Sequence, residues 1–173
     1  MKNCITVIII SFILTALLKV SSYAAEIHPQ KVLIIASNMV DMGDPDKHDA
    51  RNNLWEVAPP YHTFHIHCFK VDFLSPQGGQ IPFMMDPLGI SSYTIKYESF
   101  MDRANNSMSP KEITPEEYWG VYVGGGYGSL FDVNKDKEIQ SIIANVYENG
   151  GISQLNRDYE VLGKKRDSVT IFS

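Results

Sequence analysis

The sequence has 173 residues, of which 44% are hydrophobic and 20% charged, the proportions of a soluble globular chain with enough apolar content for one core. Its formal charge of −5 argues against nucleic acid or an anionic membrane as the main partner. The cysteines are Cys4 and Cys68, too few for a disulfide framework.

The chain starts with a targeting signature. Lys2 precedes an apolar run from Ile5 to Leu18, Lys19 ends it, and Ser21-Ser-Tyr-Ala-Ala25 supplies small residues for cleavage near Ala24 or Ala25. The run is shorter than the roughly 20 residues that a bilayer core requires. The expectation is a signal peptide over 1–25 and a domain over 26–173, exported to a periplasmic or secreted location, with no stable membrane association after cleavage. Cleavage removes Lys2 and Lys19 and no acid, leaving 13 basic and 20 acidic residues and a net charge of −7. Cys68 is then the only thiol, so packing must supply the stability.

Lys31-Val-Leu-Ile-Ile-Ala-Ser37 is a short β-branched run that suits a strand buried on both faces of a parallel sheet. A polar loop from Asn38 to Asp49 follows. Arg51 to His67 has helical spacing around Leu54, Val57, Tyr61 and Phe64, and Pro59-Pro60, lacking amide hydrogens, should break or kink it. Val71 to Ser75 is a second strand that ends in Pro76-Gln-Gly-Gly79. The excursion from Gln80 to Pro110 contains Asp86-Pro87 and a helix near Glu98 to Arg103. Thr114-Pro-Glu-Glu117 combines a capping hydroxyl, a first-position proline and first-turn acids.

Tyr118 to Val123 is the next strand, running into Gly124-Gly-Gly-Tyr-Gly128. Lys135 to Asn149 puts Ile139, Ile142, Ile143 and Val146 on one helical face, and Gly150-Gly151 terminates it. A further strand should start near Gly151-Ile152 but dissolves into polar residues. Alternating strands and helices with short turns imply an α/β fold, a parallel sheet with helices on both sides.

The glycine turn is the chemically informative element. Such a turn at a strand's carboxyl end presents backbone N–H groups that can hold a developing negative charge. It fits neither a dinucleotide fingerprint, since Ser129 stands where the last glycine belongs, nor a P-loop. The alternative is a plain tight turn. Glu56, flanked by Leu54, Trp55 and Val57, is a candidate proton carrier with a raised pKa, or else a solvated helix-face acid. His62, His65, His67 and Cys68 have the residue types of a metal site without a carboxylate to complete it, so a histidine cluster at a helix end is the simpler reading. Ser129 and Ser153 lie outside any Gly-x-Ser-x-Gly frame.

In this order, Lys31–Ser37, Leu54-Trp-Glu-Val-Ala-Pro-Pro-Tyr61, Val71-Asp-Phe-Leu-Ser-Pro-Gln-Gly-Gly79, the Asp86-Pro87 loop and Tyr118-Trp-Gly-Val-Tyr-Val-Gly-Gly-Gly-Tyr-Gly128 with Asp132 resemble the ThiJ/PfpI family of class I glutamine-amidotransferase-like domains. The similarity is to the branch of glutathione-independent glyoxalases, also described as chaperones and protein deglycases, and covers nearly all of residues 31–152. The resemblance implies a flavodoxin-like three-layer sandwich, here incomplete at its C-terminal end. It implies a lyase- or hydrolase-type activity, methylglyoxal to D-lactate (D-lactate dehydratase), that detoxifies small reactive carbonyl compounds without a cofactor; relatives often form a homodimer, whose interface no residue here locates. In the family a cysteine on a strained turn attacks the carbonyl. Glu56 corresponds to the proton-transferring glutamate, the Gly126 amide to an oxyanion donor, and Tyr127 to a binding position where relatives often have histidine.

The family's Val-Cys-His-Gly turn should follow Ile152, yet Arg157, Asp158 and Tyr159 occupy the cysteine, histidine and glycine positions and no cysteine follows Cys68. Leu162 to Ser173 is faintly similar to a later Gly-Lys-Lys-Val-Thr segment, as a deletion or frameshift with an early stop would leave it. The expectation is an impaired catalyst. The alternatives are a carbonyl-processing enzyme whose chemistry has moved to another residue, a non-catalytic protein that binds a ligand or client, and a truncated product that folds poorly.

Overall fold

The computed structural model describes residues 30–43, 48–84 and 98–155. The expected signal peptide over 1–25, Asp86-Pro87, Arg157 to Tyr159 and the terminal Leu162–Ser173 lie outside the described residues. In chain order the elements are β1 (Lys31–Ile35), β2 (Asn52–Asn53), α1 (Leu54–Ile66), β3 (Lys70–Leu74), β4 (Phe83–Met84), α2 (Glu98–Asn105), β5 (Tyr118–Val123), α3 (Tyr127–Phe131), α4 (Lys137–Glu148) and β6 (Ile152–Leu155). Short 3₁₀ turns at Pro110–Glu112, Pro115–Glu117 and Val133–Lys135 join them. The main sheet is parallel with strand order β3-β1-β5-β6, and β2 and β4 form a separate two-stranded pair.

Because β1 is covered on both faces, it reads as an unbroken apolar run rather than an alternation. Ile34 and Ala36 join one core with Leu54, Val57, Ala58 and Tyr61 of α1 and Phe100 and Ala104 of α2. Leu33 and Ile35 join the other with Ile139, Ile142 and Val146 of α4. This is the three-layer α/β sandwich that the alternation of elements implies.

Three local expectations change. The helix does not break at the prolines: α1 runs from Leu54 to Ile66 with Pro59 and Pro60 inside it. Pro60 lacks the amide that would reach the Glu56 carbonyl four residues back, and the Tyr122 hydroxyl donates to that carbonyl instead, at 2.8 Å. The segment after Gly151 does not dissolve. Ile152 to Leu155 pairs in parallel with Gly120 to Val123 as β6. Thr114 precedes its 3₁₀ turn without making a side-chain cap bond.

Helix α1 ends in a Schellman arrangement, with the Cys68 amide donating to the His65 carbonyl at 3.1 Å and the Phe69 amide to the Phe64 carbonyl at 3.0 Å. The Phe64 and Phe69 rings meet edge to face, with centroids 6.0 Å apart. This geometry needs a left-handed residue, and Cys68 supplies it at φ 64° where glycine is the usual choice. Cys68→Gly is therefore expected to stabilise the fold by about 1 kcal/mol, read as a rise in the thermal midpoint. A lower midpoint would show that the Cys68 side chain contributes more than its backbone strain costs.

Candidate functional site

The carboxyl ends of β1 and β5 lie side by side, and the ladder continues past them where the Gly124 amide donates to the Ile35 carbonyl at 2.8 Å. Asn52, fully buried, clamps the chain leaving β1. Its Oδ1 accepts from the Ser37 amide at 3.0 Å, and its Nδ2 donates to the carbonyls of Ser37 at 2.8 Å and Pro82 at 2.9 Å. Asp132, just after α3, accepts from the Ser37 hydroxyl at 2.8 Å and the Asn38 amide at 3.0 Å, and its other oxygen accepts from the Val133 amide at 2.6 Å. These bonds satisfy buried donors that would otherwise be costly. They also fix the loop after β1 against the loop after β5.

The glycines are there because the backbone must pass close to α1. A Cβ on Gly124 would lie 2.8 Å from Val57 Cγ2. Gly126 has φ 131° and ψ 153°, a conformation open in practice only to glycine. It sits 3.5 Å, from its would-be Cβ, to the Arg51 carbonyl oxygen and Asn52 Cα. The turn is thereby seated against the residues that lead into α1. Tyr127 follows at the start of α3 and is 69% exposed.

Glu56 is the third residue of α1, after the N-cap Asn53, whose side chain accepts from the Trp55 amide at 3.0 Å. An acid there is favoured by the helix dipole. Its Oε2 is buried. Burial, and then the nearby Glu56 charge, push the Tyr122 hydroxyl up to about 12, so the phenol stays protonated and donates to the Glu56 carbonyl. One end of the sheet thus brings together an acid in a helix's first turn, a glycine turn with a glycine-only backbone, and the end of β6, where Leu155 is in register with Val123.

The other candidates are placed elsewhere or are occupied. Ser129 is fully buried, and its hydroxyl donates to the Gly124 carbonyl at 3.3 Å. Ser153 lies within β6, in register with Val121. His65 stacks on the Tyr61 ring at 5.9 Å and His67 caps α1. Among the described residues no group of three or more His, Cys, Asp or Glu could hold a metal ion. Cys68 is exposed at the far end of α1, at the opposite end of the sheet from Glu56. An open cleft of about 350 Å³, lined by Lys31, Glu117, Trp119 and Gly150 among others, is also at that opposite end and shares no residue with the site. Three contributors escaped the sequence reading: the Asn52 clamp, Ser37 and the Tyr122 hydroxyl. An Asn-Asn pair ahead of a helix signals a cap, but nothing local to Asn52 announces its bonds to residues 15 and 30 positions away.

No protein-family profile matches the chain. It is similar to the glutathione-independent glyoxalase HSP31 of Saccharomyces cerevisiae, 28% identical over 134 residues that make up 72% of this chain and 55% of that protein. The chain thus spans about half the length of the curated relatives it matches. In fold it is similar to glyoxalase III from Candida albicans, with a TM-score of 0.60 and 19% identity over 73% of this chain and 56% of that one. It is likewise similar to a ThiJ/PfpI domain protein from Brachyspira murdochii, with a TM-score of 0.51 and 15% identity over 73% of this chain and 58% of that one. The chain is a homologue of the glutathione-independent glyoxalases, and its parallel α/β sandwich is the fold of the ThiJ/PfpI proteins.

Proposed function

We propose that these 173 residues form the acid–base and oxyanion half of a glyoxalase-type site for small reactive carbonyl compounds such as methylglyoxal, with turnover impaired because no thiol stands beside it. Glu56 is the proton carrier, the Gly126 amide faces the developing oxyanion, and Tyr127 closes the binding side. The observation that carries this reading is the seating of Gly126 against the residues that lead into α1, within the same end of the sheet as Glu56. In such a site a thiolate would add to the aldehyde carbon and Glu56 would move the proton between the two carbons of the adduct. The residues after β6 are Asn156-Arg-Asp-Tyr159, none of which is a comparable nucleophile at neutral pH. The test is incubation of the purified chain with methylglyoxal and stereospecific assay of D-lactate. Formation above the buffer rate that disappears in Glu56→Gln would overturn the impairment.

The proposal includes export through cleavage after Ala25. The protein recovered from a periplasmic or culture fraction is expected to start at Glu26, read by N-terminal sequencing. Recovery only from the cytosol with Met1 or Lys2 intact would sink this part of the proposal. Among the described residues no helix is long and apolar enough to cross a membrane.

A further inference from the structure

We propose that Tyr122 is a positioning residue for Glu56: its hydroxyl replaces the backbone donor that Pro60 lacks, and so holds the first turn of α1 against the strand that carries the glycine turn. The inference rests on the reading of Glu56 as the proton carrier. In an uninterrupted helix the carbonyl of residue 56 accepts from the amide of residue 60. Proline has no such amide, and its ring crowds that same carbonyl. Two consecutive prolines therefore weaken α1 just where the acid is anchored, and yet the helix runs through them. The Tyr122 hydroxyl reaches the Glu56 carbonyl at 2.8 Å from a position 66 residues away in sequence.

Tyr122 is 8% exposed, and a buried phenol with no acceptor would be costly, as would a carbonyl with no donor. One bond meets both needs. Tyr122 is also the residue before Val123, the last of β5, so the strand that delivers Gly124 to Gly126 delivers this hydroxyl as well. The acid's turn and the oxyanion turn are thereby tied through a single strand. A phenylalanine would keep the ring and its packing and lose only the tie.

The test is a cycle of Tyr122→Phe, Pro60→Ala and the double variant, each read by thermal midpoint and by the ¹³C NMR titration of the Glu56 carboxyl, assigned by its absence in Glu56→Gln. Tyr122→Phe is expected to lower the thermal midpoint and to displace the Glu56 titration from its wild-type position. In the double variant the backbone amide that Pro60→Ala restores can take up the Glu56 carbonyl, so both readouts should return toward those of Pro60→Ala alone. A titration that does not move in Tyr122→Phe overturns the positioning role. So does a displacement of the same size in both proline backgrounds. D-lactate formation by the wild-type chain would overturn the impaired turnover alone, because the titration is read without turnover.

Discussion

Purified chain mixed with methylglyoxal is expected to give D-lactate at the rate of buffer alone, and neither Glu56→Gln nor Cys68→Ala should change that rate. Removing a covalent nucleophile from a catalytic unit whose members act together lowers turnover by roughly a million-fold. On the proposed reading, what remains is an acid and a backbone amide that would bind and polarise a carbonyl with nothing to add to it. Cys68 cannot substitute. Twelve residues separate it from Glu56 along α1, about 18 Å at 1.5 Å per residue, and it emerges at the opposite end of the sheet. Ser129 is nearer but fully buried, with its hydroxyl committed to the Gly124 carbonyl, and no histidine adjoins it in sequence to act as base. Conversion that survives Cys68→Ala and is lost in Glu56→Ala would mean that another side chain has taken over the addition step.

The sequence revealed those parts of the fold whose causes are local. Strands β1 and β5 are legible because burial on both faces demands an unbroken apolar run, and α4 because Ile139, Ile142 and Val146 fall on one stripe. Glu56 and the glycine turn are legible for a similar reason: an acid in a helix's first turn and glycines after a strand are signals within a few residues. The illegible parts depend on distant partners. Helix α1 runs on through its two prolines with a hydroxyl from β5 on the Glu56 carbonyl, a continuity that a rule about proline alone does not foresee. Strand β6 carries a polar Ser-Gln pair and leaves Ile152 55% exposed, so its apolar pattern is weak, and its pairing with β5 decides the structure. Asp132 binds Ser37 across 95 positions, a contact that residue types do not encode.

Gly128→Ala is expected to be the most damaging single-methyl change among the described glycines, lowering stability by about 3 kcal/mol, the upper part of the range for overpacked sites, and the thermal midpoint by roughly 10 °C. The added Cβ would lie 2.4 Å from the Ala50 carbonyl oxygen, 2.6 Å from Ser37 Oγ and 3.1 Å from Met39 Cβ. None of these can step aside cheaply. The Ala50 amide is bonded to the Val40 carbonyl at 3.0 Å, and Ser37 Oγ donates to Asp132 at 2.8 Å while accepting from the Met39 amide at 2.9 Å. Moving Ser37 therefore loosens Asp132, and with it the contact between the loops after β1 and β5 that frames the site. Gly150→Ala is the natural control, because Gly150 has φ 88° but nothing within 4 Å of its would-be Cβ. It should cost only the backbone strain, about 1 kcal/mol. If the two variants melt together, the crowding at Gly128 is not what holds the loops in place. If Gly128→Ala melts well below Gly150→Ala, the close approach of α3 to Ser37 and Ala50 is a structural requirement of the site, independent of whether any substrate is turned over there.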